Sequence, residues 1–72
     1  MQLHTTDAVR LRGDRGTRAR VLTVLPRGTD LYAQCWRTVD DVWWADGEVM
    51  SGPARGRHGW VVGACTATGY RR

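Results

Sequence analysis

Val9-Arg10-Leu11-Arg12 alternates apolar and charged side chains, so Val9 and Leu11 share one face. A period of two describes a half-buried strand. The stretch Gly13-Asp14-Arg15-Gly16 breaks the alternation, because paired glycines supply backbone conformations that other residues avoid. An apolar run, Val21-Leu22-Thr23-Val24-Leu25, then predicts a second strand. It stops at Pro26, which cannot donate to a sheet ladder, and turns through Arg27-Gly28. From Asp30 the alternation resumes, with Leu31, Ala33 and Cys35 on one face and Tyr32, Gln34 and Trp36 on the other. Asp40-Asp41 reads as a turn, Val42 to Ala45 as an extended segment, and Asp46-Gly47 as a hairpin turn. A short Glu48-Val49-Met50 segment, a Gly- and Arg-rich loop over 51–58 and a last strand from Trp60 complete the chain. No helical period is present, and the pattern predicts five to six short antiparallel strands rolled into a small all-β barrel, since rolling hides edges that a flat sheet exposes.

The same pattern sorts the large side chains. Val24 and Trp60 are expected in the core, Trp60 as the barrel's closing aromatic. Trp43 and Trp44 are adjacent in a strand, so their side chains point to opposite faces. One is core and the other is exposed or lines a groove, and alternation does not choose between them. Tyr70 is placed to cap an open barrel edge. Residues 1–7 read as a flexible leading segment, 8–68 as the barrel and 69–72 as a tail.

Length sets the scale of what this chain can do. Its 72 residues fit one domain. A chain of that size buries about 60% of its unfolded surface, which leaves little room for a large internal catalytic cavity. With 42% hydrophobic and 25% charged residues it has the composition of a folded domain. All eleven basic residues are arginine, and Lys, Ile, Asn and Phe are absent. That usage fits a high-GC genome such as those of actinobacteria and their phages, and codon bias then explains Arg in place of Lys. The net charge of +4 permits acidic partners without requiring them. The polar start lacks the apolar core of a signal peptide, and no apolar run spans a bilayer. No membrane partner is expected, and a cytoplasmic or phage-encoded role is the expectation unless the chain is part of an exported protein.

Candidate chemistry is sparse. The glycines of 13–16 lack the GxxxxGK[ST] pattern and a following helix, so a phosphate cradle is not indicated. His4, His58, Cys35 and Cys65 stand singly, without the spacing of a zinc site or of a Cys–His nucleophile. No cofactor, metal or enzymatic activity is expected. A Cys35–Cys65 disulfide would stabilise so small a fold by roughly 3–4 kcal/mol. Free thiols remain the alternative, in keeping with the missing export signal.

Taken in order, "VRLR" (9–12), "GDRGTRAR" (13–20), "VLTVLPRG" (21–28), "TDLYAQC" (29–35), "WW" (43–44) and "GWVV" (59–62) resemble a bacterial SH3-like (SH3b) domain over roughly residues 8–64. The chain departs from that pattern in two loops: Gly13-Asp14-Arg15-Gly16 stands where the family often has Ser-Gly-Pro, and the 51–58 loop is lengthened. The resemblance implies a binding module for a peptide, a cell-wall (peptidoglycan) segment or one protein partner. Its groove would lie between the 13–20 and 51–58 loops, with Asp14, Arg15, Arg18, Tyr32, Trp43, Trp44, Arg55 and Arg57 as ligand-binding candidates. Arg12 and Arg20 belong to the same basic loop. Two alternatives stay open. One is a basic barrel binding nucleic acid, because Arg beside Trp or Tyr stacks on bases and grips phosphates. The other is an adaptor or structural protein that self-associates, as a monomer or weak homodimer.

Overall fold

The computed structural model describes residues 1–71. Its strands are β1 (Gln2–Thr5), β2 (Val9–Arg12), β3 (Val21–Leu25), β4 (Asp30–Val39), β5 (Val42–Val49), β6 (His58–Val62) and β7 (Thr66–Thr68), with a single 3-10 turn at Gly63–Cys65. All pair antiparallel in one sheet of order β3-β2-β6-β5-β4-β1-β7. The all-β expectation therefore holds, with seven strands in place of five or six among the described residues. The sheet curls like a small barrel but does not close, and β3 and β7 remain its edges.

The strand order follows from which side chains can be hidden. Leu3, Leu11, Leu25, Leu31, Val49 and Val61 are fully buried and come from six different strands, so curling the sheet joins them in one core. Val24 is not among them. It stands 56% exposed on the outer side of the edge strand, because it pairs with the exposed Arg10 while its neighbour Leu25, opposite the buried Val9, points inward.

The leading segment is a strand and not a flexible arm. β1 sits between β4 and β7, burying Leu3 and Thr5. The Thr5 hydroxyl donates to the Pro26 carbonyl at 2.7 Å and accepts from the Thr29 N–H at 2.9 Å, which pins the turn before β4. At the other end the supposed tail is partly structured: Gly69 N–H donates to the Gln2 carbonyl and Arg71 N–H to the Asp30 carboxylate. Arg72 lies outside the described residues.

Asp40-Asp41 is the hairpin turn, with φ of 51° and 65° between the paired Val39 and Val42. Positive φ at both central positions is what a two-residue turn between twisted strands requires. Asp46-Gly47 is no turn; it lies inside β5, opposite a bulge that leaves Gln34 between Ala33 and Cys35. Gly47 is needed there for close approach, since a Cβ would sit 2.4 Å from the Tyr32 carbonyl oxygen. The bulge also ends the simple alternation of β4, so Trp36 turns inward and packs against the core. Gly59, paired with Gly47, serves the neighbouring contact: a Cβ there would lie 2.6 Å from the Arg12 carbonyl oxygen.

Candidate functional site

Between the two hairpins lies an open cleft of about 640 Å³. One wall is the β2–β3 hairpin, through Arg10, Arg12 and Val24, with Gly16 and Thr17 of the long loop at its rim. The opposite wall is the β4–β5 turn, through Val39, Asp40 and Val42. Trp44, Val62 and Cys65 line it between them. The long loop leans toward the turn, because a Cβ on Gly16 would lie 3.9 Å from the Val39 side chain. The 51–58 loop contributes nothing to this cleft. The partner of the first loop across the groove is the Asp40-Asp41 turn, two residues long and held by its positive φ angles.

The two tryptophans now separate. Trp44 is 3% exposed and lines the groove, whereas Trp43 is 57% exposed on the other side of the strand. Trp43 meets Trp36 edge to face, with centroids 6.4 Å apart. Beside the pair, Met1, Val42 and Ala64 form a second, shallow apolar groove rimmed by Asp41.

Each loop arginine has a different role. Arg12 is buried and donates Nη1 hydrogen bonds to the Thr17 and Ala19 carbonyls at 3.0 and 2.9 Å, so it clasps the loop from within. Arg15 lies over the Trp60 ring, 5.7 Å from its centroid. Trp60 is consequently half-buried beneath a cation and does not close the core. Arg18 and Arg20 are exposed. The Asp14 carboxylate accepts from the Arg15 N–H at 2.7 Å and shapes the turn. In the 51–58 loop, the Arg57 N–H donates to the Ala54 carbonyl and its carbonyl accepts from Val49, so the backbone folds on itself while the Arg55 and Arg57 side chains stay exposed.

The outer face of β4, β5 and β6 is acidic as well as aromatic. Tyr32 stands across from Glu48, and Glu48 across from His58; Trp60 stands across from Asp46. His58 Nε2 meets the Asp46 carboxylate at 2.8 Å. Of the ligand-binding candidates read from sequence only Trp44 lines this cleft, and Val39, Val42, Val62 and Cys65 line it without having been named for it. The alternation of Val42 with Trp44 was the available signal. Cys35 and Cys65 are free thiols, one beyond the β4 bulge and one ending the 3-10 turn. Among the described residues no three His, Cys, Asp or Glu side chains gather as a metal site. Comparison with family models, with curated proteins and with solved structures finds no match for this chain.

Proposed function

We propose that this chain is a non-enzymatic binding module that holds an extended peptide segment, from a protein partner or the peptide part of a cell wall, in the cleft between the 13–20 loop and the Asp40-Asp41 turn. The observation that carries this reading is the cleft itself, whose Val42, Trp44 and Val62 lining is flanked by walls bearing Arg10 and Asp40. Apolar clefts with a few polar groups at their edges are the usual form of ligand sites. The resemblance to SH3b domains points the same way, toward peptide or peptidoglycan recognition.

The nucleic-acid alternative has one supporting contact, Arg15 over Trp60. Elsewhere the rings neighbour acids: Tyr32 faces Glu48, and Asp41 shares a groove with Trp43. Carboxylates beside the stacking surface oppose phosphate binding, which favours the peptide reading.

Val42→Arg and Trp43→Ala together test the proposal: Val42 is 41% exposed and lines both grooves whereas Trp43 lines only the second, so loss with Val42→Arg and retention with Trp43→Ala is the expected result. Co-sedimentation with isolated sacculi and capture of protein partners are both expected to fall at least tenfold with Val42→Arg. Arg57→Ala is expected to leave them unchanged. Loss with Arg57→Ala and retention with Val42→Arg would move the site to the 51–58 loop. Oligonucleotide binding that weakens steeply with salt would instead support the nucleic-acid reading.

A further inference from the structure

Arg12 stands out among the groove residues. Only 9% of it is exposed, yet among the described residues no carboxylate lies within ion-pairing distance of its guanidinium. A buried charge without a partner is costly, and such groups are normally paired. The loop carbonyls satisfy only Nη1. Of the five N–H donors of an arginine, the three on Nε and Nη2 have no protein acceptor. No fully enclosed side-chain nitrogen or oxygen is left without a partner, so those atoms reach solvent, and Arg12 lines the cleft. Arg10 adds a second positive charge to that wall, and the one acid in the cleft, Asp40, belongs to the opposite wall.

We infer that Arg12 is the anchor for a carboxylate of the ligand, which deepens the peptide-binding reading above and rests on it. The two loop carbonyls hold the guanidinium plane fixed, so its free edge is preorganised to pair with both oxygens of a carboxylate. The ligand class is an extended peptide whose apolar side chain rests on Trp44 and Val42 and whose carboxylate meets Arg12. That carboxylate comes from an acidic side chain or from the chain's C-terminus.

Three peptides separate these cases: Ac-Ala-Val-Glu-Val-Ala-NH₂, its Gln counterpart, and the Gln peptide with a free C-terminus. Each is titrated into the ¹⁵N-labelled chain while the Arg12 Nε–H and Trp44 indole resonances are followed. The expected result is that at least one carboxylate-bearing peptide shifts both signals and binds roughly tenfold tighter than the neutral peptide, as a charge-assisted bond warrants. Whichever of the two binds tighter identifies the source of the carboxylate. Arg12→Lys, checked for folding through the Leu31 and Val61 amides, is expected to erase most of that difference while keeping the charge. Equal affinities, with Trp44 and Val42 shifted in every case, would overturn the anchor and leave the groove reading intact. No groove shift with any peptide would overturn both.

Discussion

A residue's neighbours, rather than its type, decide what it does in this chain. Arg12, Arg15 and Arg18 stand within seven positions of one another, yet one is a buried clasp, one covers an indole and one is exposed. Removing Arg15 is expected to cost no more than about 1 kcal/mol, the scale of an exposed cation–π contact, and Trp60 fluorescence together with denaturation reads it. The buried positions behave differently. Leu31→Ala is expected to cost about 2–5 kcal/mol, whereas Val24→Ala stays within about 0.5 kcal/mol because Val24 faces solvent; urea unfolding separates them. Gly47→Ala should cost about 3 kcal/mol or more, since the added methyl meets the Tyr32 carbonyl and the strands must part. The period-two pattern located Leu11, Leu31 and Ala33 in the core. Val24, expected in the core, faces outward because adjacent strand residues point to opposite faces and Leu25, opposite Val9, takes the inward one.

Elements were legible where their signal was local. The Asp40-Asp41 turn and most of β2, β3 and β4 could be read from alternation and turn residues. β1 could not, because Gln2–Thr5 carries one large apolar residue and gains its place only through distant partners, Asp30 to Tyr32 and Thr66 to Thr68. Its burial makes a sharp expectation. Thr5→Val removes a hydroxyl that bonds Pro26 and Thr29, leaving the Thr29 N–H only its longer 3.3 Å bond to the Pro26 carbonyl, and should cost about 1–2 kcal/mol in thermal or chemical unfolding. Asp46-Gly47 misled for the opposite reason: a favoured turn pair was used for a close strand crossing. The open edge at β3 is flanked in sequence by Arg20 and Arg27. Charged residues at an edge discourage pairing with a second copy, so light scattering is expected to report a monomer.

At the scale of the whole molecule, the curled sheet sets two hairpins against each other and leaves a cleft between them. Of the four arginines read as displayed on the long loop, Arg15, Arg18 and Arg20 are exposed and Arg12 is buried, and the wall facing the loop could not be read from sequence. Which loop lies opposite depends on how far the sheet curls, and β2 reaches β6 through the Gly59 crossing rather than through any local pattern. Charge was the weaker guide: the net +4 comes from arginines with separate roles, while the outer sheet face carries Asp46 and Glu48. The most direct measurement of this account is an isotope-filtered NOE spectrum of the labelled chain with a bound unlabelled peptide. Contacts from the peptide to the Val42 and Val62 methyls and the Trp44 ring are expected. Contacts confined to Arg55, Arg57 and His58, or to the exposed Trp43 ring, would contradict it.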